Sequence, residues 1–425
     1  MKKIAIINPP APFLIDQRVF PNVGLIRVAT QLKKDGHDIQ VFDLSGNDNY
    51  LENMRSIKGD FSHYLISSTT PQFQYAYKIA EELKGGGHLI LGGAHASAIG
   101  SLRSKGIEDD NIETLNIFDT VFEGEGEDTR NIFKNGWQKG ALIKNLDDLD
   151  IPNRDLIDTL SYKYMLNGKL TTSIQTQRGC PFQCAFCCGR DIEMYNRTRS
   201  NSPDRILEEM DLLNKKYGYA SFMWYDDEIN VNPKRLEELC KKLSTRNYQH
   251  RGFIRSDLIL RYPETVQMLK DAGFVKLCAG VESGSDKILK NINKGVTAEE
   301  NLKARKIIGD VGIHYESFLM IGLPGETKKD VEKTVQWIKD AKPDDFDINI
   351  MVPYPGSVIY DKAILSTKYK DYKWEYNGLY FNKPDYSKDA SYYKGLGGRA
   401  IVDSRTDDMT AEYLKQKREE IQCMK

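Results

Sequence analysis

The sequence predicts an α/β protein in two halves, an N-terminal doubly wound parallel sheet and then a partial (β/α)6 barrel, with a small C-terminal cap. Two observations predict it. Short apolar runs rich in Ile, Val, Leu and Phe alternate with helical patterns along most of the 425 residues, and a charged, proline-bearing stretch near residue 150 breaks the alternation. Beyond that break, the runs alternate apolar with polar residues, as expected of strands with helices on one face and a lumen on the other.

Five runs open the chain as strands: KIAIIN, IQVFDL, YLISSTT, HLILGGA and TVFEGEGE, with helical patterns such as GLIRVATQLKKDG and YAYKIAEELKGG between them. Strands joined by helical crossovers make a parallel sheet, expected over residues 1–140. Each strand runs into a loop of Gly, Pro, Ser or Thr. These loops are Pro9–Pro10, Ser68–Thr69, Gly92–Gly93 (with His95 just beyond) and Gly124–Glu125–Gly126. In an open sheet the loops at the carboxyl ends of the strands hold the ligand, so together they outline one candidate site. Taken singly, each is also what an ordinary turn requires. The segment LDDLDIPNRDLIDTLSYKYMLNG then interrupts the rhythm and reads as a linker, placed at 141–165.

Six further runs, TTSIQTQ, ASFMWYDDE, GFIRSD, VKLCAGVES, HYESFLMIGLPG and DFDINIMVPYPG, make up the expected barrel over 166–365. Helix starts between them are well marked, as at Asn232–Pro233, a capping residue followed by proline at the first helical position. In VKLCAGVE, Val275, Leu277, Ala279 and Val281 share one face, while Lys276, Cys278, Gly280 and Glu282 share the other. DFDINIM repeats the pattern, with Phe346, Ile348 and Ile350 opposite Asp347, Asn349 and Met351. A polar inward face implies a ligand-binding lumen rather than a packed plug. From about Ser366 a tail dense in Tyr and Lys, 366–425, reads as a cap on the main body that ends in the helix TAEYLKQKREEIQ.

Composition narrows the partners. The 60 basic and 61 acidic residues nearly cancel and are mixed along the chain, so no broad footprint for nucleic acid or anionic lipid is expected. A small-molecule substrate fits better. No run of about 18 apolar residues marks a membrane span. The start, MKKIAIINPPAPF, begins a strand and not a signal peptide, so a cytoplasmic protein is expected. Seven cysteines, four of them crowded and three lone (Cys240, Cys278, Cys423), suit reduced thiols used as ligands and not a disulfide framework.

The crowded four lie in RGCPFQCAFCCGR, Arg178 to Arg190. Thiolates are soft ligands for zinc or for iron-sulfur clusters. Three on a short loop suit three irons of a cubane and leave the fourth iron open, whereas structural zinc takes four protein ligands. Cys188 adjoins Cys187 and is read as a non-ligand. Cys180-x3-Cys184-x2-Cys187, with Phe186 before the last cysteine and the loop following the first barrel strand, resembles the signature of the radical SAM superfamily. The resemblance implies a 4Fe-4S cluster on Cys180, Cys184 and Cys187. S-adenosylmethionine (SAM) would chelate its open iron and be cleaved to a 5′-deoxyadenosyl radical, with the electron supplied by a flavodoxin- or ferredoxin-type donor. It also implies SAM contacts at Phe186, at Asp226 or Asp227 for the amino group, at Arg255 and Glu282, and at the turn Gly322–Leu323–Pro324 for the adenine.

The first half resembles the cobalamin-binding domain of the cobalamin-dependent radical SAM class, through INPP, GLIRVATQLKKDGHDIQVFD, LGGAHAS, VFEGEGED and the linker LDDLDIPNRDLID. The implied cobalamin contacts are Pro9, Pro10, Ser68, Thr69, Gly92, Gly93, His95, Gly124, Glu125 and Gly126. The loop after the first strand, NPPAPFLIDQRVFPNVG, lacks the Asp-x-His-x-x-Gly that ligates cobalt from below in other cobalamin proteins. The expected activity is cobalamin-dependent methylation of a carbon on a small or mid-sized biosynthetic substrate. Radical cyclisation, dehydration or rearrangement without methyl transfer is the alternative, and a non-catalytic zinc- or corrinoid-binding protein a remote one.

Overall fold

The computed structural model describes residues 1–189, 191–388 and 403–425. Its first layer is a parallel sheet of six strands: β1 (Lys3–Asn8), β2 (Asp38–Asp43), β3 (His63–Ser67), β4 (His88–Gly92), β5 (Thr120–Glu123) and β6 (Gly136–Lys139), in the order β2-β1-β3-β4-β5-β6. Helices cover both faces, which is why the central strands are apolar at every position rather than at alternate ones. Ile4 and Ile6 of β1 pack with Leu25, Ala29 and Leu32 on one side. Ala5 and Ile7 pack with Phe73, Ala76 and Ile79 on the other. Five strands are expected from the sequence; the sixth, β6, is the four-residue edge run GWQK, too short and too polar to carry an alternation signal.

The stretch expected as a linker runs as three single turns, Leu146–Asp148, Arg154–Leu156 and Thr159–Ser161. After it come β7 (Met165–Leu166), β8 (Lys169–Ile174), a short antiparallel ladder of β9 (Gln177–Arg178) and β10 (Arg199–Ser200), and then β11 (Ser221–Trp224), β12 (Gln249–Ile254), β13 (Phe274–Glu282), β14 (His314–Ile321) and β15 (Asp345–Ile350). The order β15-β14-β13-β12-β11-β8-β7 is that of an open barrel. All six expected runs pair in parallel, and only β7 is antiparallel.

The parity of the strands holds. Leu277, Ala279, Val281, Phe346 and Ile348 sit in the outer core under the helices. On the opposite face of the same strands, Glu316 takes an ion pair from Arg251 at 2.7 Å and from Lys276 at 3.0 Å, and accepts a hydrogen bond from the Cys278 thiol at 3.2 Å. Buried charges persist when each has such a partner.

The tail forms a four-stranded antiparallel sheet, β16 (Ile364–Leu365), β17 (Trp374–Tyr376), β18 (Leu379–Phe381) and β19 (Ser404–Thr406), followed by the helix Ala411–Gln422. Residues 389–402 of the expected cap lie outside the described residues. The final helix lies along β15. Arg418 Nε donates to the Ile348 carbonyl at 3.1 Å and the Ile348 N–H donates to Gln422 Oε1 at 3.4 Å, so side chains occupy an edge that would otherwise invite pairing. The cap also reaches the first layer, where the Tyr386 N–H donates to Asn111 Oδ1 at 3.0 Å.

One buried acid in this frame has a consequence for stability. In the turn after β14, the N–H groups of Gly322 and Leu323 donate to Glu326 Oε2 at 2.6 and 3.2 Å, and burial pushes the Glu326 carboxyl up to about 8. A raised value means that the folded state holds the proton more tightly than the unfolded chain. The contribution is therefore fully present below the unfolded carboxyl value near 4.5 and is lost as pH rises through about 8. Urea unfolding at pH 5 and pH 8.5 should show the wild type losing at least about 1 kcal/mol more than Glu326→Gln over that interval. Parallel pH profiles of the two proteins would refute the assignment.

Candidate active site

The three cysteines lie on irregular backbone between β9 and β10, at the carboxyl end of the barrel's first strand. This backbone is pinned at three distant points. The Cys180 N–H donates to the Tyr195 carbonyl at 2.9 Å, the Ala185 N–H to Ile292 at 2.8 Å and the Gly189 N–H to Gly356 at 2.9 Å. Gly179 has φ +82°, and a Cβ there would stand 2.3 Å from the Arg197 carbonyl oxygen, so the approach to Cys180 requires glycine. Cys184 is buried, Cys180 and Cys187 are half-buried, and Cys188 is exposed. The Arg255 guanidinium stacks 3.7 Å above Phe182, and its Nη1 lies 3.8 Å from Cys184 Sγ. The cation thus lies against the thiol that would carry negative charge in a cluster. Among the described residues no group of three or more His, Cys, Asp or Glu side chains is gathered for a metal ion. A cubane spaces its thiolates differently from a single ion, since each takes its own iron.

Around this loop the strand ends bring charges together. Asp226 is buried and turned back on the chain, accepting from the Thr176 N–H at 2.7 Å, the Gln177 N–H at 2.9 Å and the Thr176 hydroxyl. It fixes the start of the cysteine segment, while its neighbour Asp227 is exposed on a cavity wall. The next residue, Glu228, has a buried Oε2 with no hydrogen-bond partner. Burial pushes its carboxyl up to about 7, opposed by Lys294 and Arg255.

Glu282, with φ +65° at a register shift of β13, accepts from Lys294 Nζ at 2.9 Å. Arg255 pairs with Asp257 at 2.8 Å and donates to the Lys294 carbonyl. Phe186 is half-buried, its ring 5.9 Å from Lys294 Nζ. The N–H groups of Gly322 and Leu323 are taken by Glu326, and the Pro324 carbonyl accepts from Asn291 Nδ2 at 3.1 Å. Sequence reasoning missed Glu228 as an acid of the site. It also missed Lys294, which follows the helix Asp286–Asn291 on a loop with no periodic signal.

A cavity of about 410 Å³ lies between the first layer and the cysteine loop. Ser68, Thr69, Gly92, Gly93 and the Gly124–Gly126 loop form one wall, and Gln175, Arg178, Gly179 and Tyr225 face them from the barrel. A slot of Leu25, Leu65, Ile90, Phe122 and Ile132 extends it into the sheet. A Cβ on Gly92 would meet nothing within 4 Å, so that position faces open space; one on Gly93 (φ +92°) would stand 2.9 Å from the Ser68 carbonyl oxygen. Pro9, Pro10 and His95 do not line this cavity. His95 falls in the first turn of the helix Ala94–Ser104, fully buried and stacked 4.0 Å from Phe73, and burial pushes its pKa down to about 3, so it is neutral. The Glu125 carboxylate is held by Arg178 at 2.7 Å and Arg199 at 2.7 Å, which leaves the backbone of its loop to face the cavity.

A parallel layer set against an open barrel, with three thiols at the barrel's first strand end, defines a radical SAM enzyme. Residues 174–338 match the Radical SAM superfamily, so the chain carries a radical SAM domain over that span. Such a domain implies a 4Fe-4S cluster and SAM. The two-layer plan is shared with solved structures of cobalamin-dependent radical SAM enzymes. An uncharacterised methyltransferase of Pyrococcus horikoshii is 26% identical over 403 residues, covering 88% of this chain and 85% of that one. The anaerobic magnesium-protoporphyrin IX monomethyl ester cyclase of Cereibacter sphaeroides is 24% identical, covering 84% and 62%. The bacteriochlorophyllide d C-8(2)-methyltransferase of Chlorobaculum tepidum is 26% identical, covering 83% and 78%. Among solved structures, the radical SAM methyltransferase TsrM from Kitasatospora setae, with tryptophan and a SAM analogue bound, superposes with a TM-score of 0.63 at 17% identity, covering 85% of this chain and 76% of that one.

The two adjacent glycines separate fold from ligand. Gly93→Ala should lower the unfolding free energy by about 1–3 kcal/mol through its left-handed backbone and the Ser68 contact. Gly92→Ala should stay within about 0.5 kcal/mol of the wild type while narrowing the cavity. Urea titration measures both, and equal losses at the two positions would show that Gly92 does not face open space.

Proposed function

We propose that this enzyme is a cobalamin-dependent radical SAM methyltransferase that methylates a carbon atom of a small or mid-sized substrate in the barrel lumen. The observation that carries this reading is the shared cavity. Its walls are the strand-end loops of a doubly wound sheet on one side and, on the other, Arg178 and Gly179, which lead directly into Cys180. A carrier group in the sheet's crevice would thus face the cluster loop across one space. The open ground beside Gly92 and the apolar slot beyond it suit a large, flat, partly apolar group. The methyltransferase relatives support the reaction class, and among the described residues no helix is long and apolar enough to cross a membrane.

In this reading Cys180, Cys184 and Cys187 hold the cluster. When bound, the cluster, SAM and cobalamin supply one-electron cleavage of SAM and a transferable methyl group. The chain orients the reactants. Glu228, with its orphaned Oε2, receives the SAM ammonium group; Arg255, already paired with Asp257, steadies the cysteine loop through Phe182 and lends its positive charge to the side where the SAM carboxylate would lie. Glu282 is already paired with Lys294, so it serves the site through that lysine and not as a free acceptor. A flavodoxin- or ferredoxin-type protein is the electron donor.

Anaerobic protein expressed with added cobalamin should contain about one cobalamin and about four irons per chain. It should yield both 5′-deoxyadenosine and S-adenosylhomocysteine with its substrate. Cys184→Ala should lose the iron and all SAM cleavage. Iron without cobalt, with 5′-deoxyadenosine as the sole SAM product, would replace methylation by the cyclisation-type chemistry of the ester cyclase relative. Glu228→Gln should keep its iron and weaken SAM binding about tenfold or more, roughly 1.4 kcal/mol, by equilibrium dialysis. An unchanged SAM affinity would remove Glu228 from the site.

A further inference from the structure

The acidic loop after β5 does something other than line a cavity. Glu125 and Glu127 belong to the first layer, yet both carboxylates reach the barrel's cysteine segment, Glu125 also accepting from the Ile143 N–H at 2.5 Å. Glu127 Oε1 accepts from Arg178 Nη2 at 2.5 Å and Glu125 Oε1 from Arg178 Nη1 at 2.7 Å, so one guanidinium is forked between two acids. Arg199 Nη1 lies 2.8 and 2.7 Å from the two oxygens of Glu125, and its Nη2 donates to the Met194 carbonyl at 2.8 Å. All four side chains are close to buried, with 3% and 6% exposure for the acids and 11% and 8% for the arginines.

These arginines are register partners across the β9–β10 ladder, the root of the cysteine loop. Two routes run from them to the first thiol. Arg178 is followed by Gly179 and Cys180 in the chain. Arg199 holds the carbonyl of Met194, and the next residue, Tyr195, supplies the carbonyl that accepts the Cys180 N–H. A buried network of this kind is weak evidence for added stability, because desolvation offsets much of its attraction. Its fork geometry does fix positions, since a planar guanidinium between two carboxylates tolerates little rotation.

We infer that Glu125 and Glu127 are positioning residues for the cluster: through Arg178 and Arg199 they set where the first layer holds the cysteine loop, and so how SAM meets the iron that the thiols leave open. The inference rests on the cysteines as cluster ligands and is independent of what occupies the cavity.

The test compares the wild type with Glu127→Gln and Arg178→Lys, each reconstituted anaerobically with iron and sulfide. The measurements are iron per chain, SAM dissociation constant, and the electron paramagnetic resonance spectrum of the reduced cluster with and without SAM. Both variants should retain about four irons, bind SAM about tenfold more weakly and show a diminished SAM-induced change in g values. Arg178→Lys keeps the charge but lacks the fork, so it decides the matter if Glu127→Gln does not fold. The exchange Glu127→Arg with Arg178→Glu should recover part of the SAM response. Variants that are thermally weakened, yet have wild-type SAM affinity and spectra, would overturn the inference and leave the network a structural contact. A wild type that takes up no iron would instead overturn the cluster assignment itself.

Discussion

The site depends on one constraint: a chain segment without regular structure must hold three thiols in place. Backbone N–H and carbonyl groups that leave water need partners, and the segment between β9 and β10 has only a two-residue ladder to supply them. The chain meets the requirement at long range, through the carbonyls of Tyr195, Ile292 and Gly356. At the root of the segment Asp226 stands in for a neighbouring strand, taking two N–H groups from Thr176 and Gln177 with one carboxylate. A loop bound in this way is as well determined as a strand.

The charges beside the loop follow from that geometry. Arg255 and Lys294 are buried cations near Cys184, and neither could stay buried unpaired. Lys294 is matched by Glu282, and Arg255 by Asp257 and the Lys294 carbonyl. That leaves Glu228 as the carboxyl with an orphaned oxygen, held up to about 7 by desolvation. On the proposed reading, that oxygen is the one placed to take the SAM ammonium group.

The fold was largely legible because its signal is periodic. Strands such as KIAIIN and VKLCAGVE carry either unbroken apolar runs or strict alternation, and the loops that follow them gather by topology alone. What was not legible lies where periodicity stops. Strand β6 has four residues and no alternation. His95 is read as a loop residue because it follows two glycines, but a helix begins at Ala94 and turns the imidazole into the core. Asp226, Asp227 and Glu228 are consecutive beyond the end of β11, so parity cannot say which one faces the site. Glu125 shows the same limit in another form. Its loop was legible as part of the cavity, whereas its pairing with Arg178 and Arg199 spans 53 and 74 residues of sequence.

The inner wall of the barrel adds a last constraint on the substrate. Toward the amino ends of the strands, Arg251, Lys276, Cys278 and Glu316 saturate one another, with Asp345 as a second acceptor for Lys276 at 3.3 Å. A charged substrate group placed there would have to displace an existing partner, and breaking a buried pair leaves its other member uncompensated, at about 3–5 kcal/mol. Phe253, level with Cys278 in the register, and Phe318, two residues beyond Glu316, bring their half-buried rings within 5.8 Å. The paired charges therefore hold the floor of the barrel in place, with aromatic rings beside them. If the substrate enters this lumen as proposed, its selection would fall to shape and apolar surface near the strand ends, where the charged cluster around Cys184 begins.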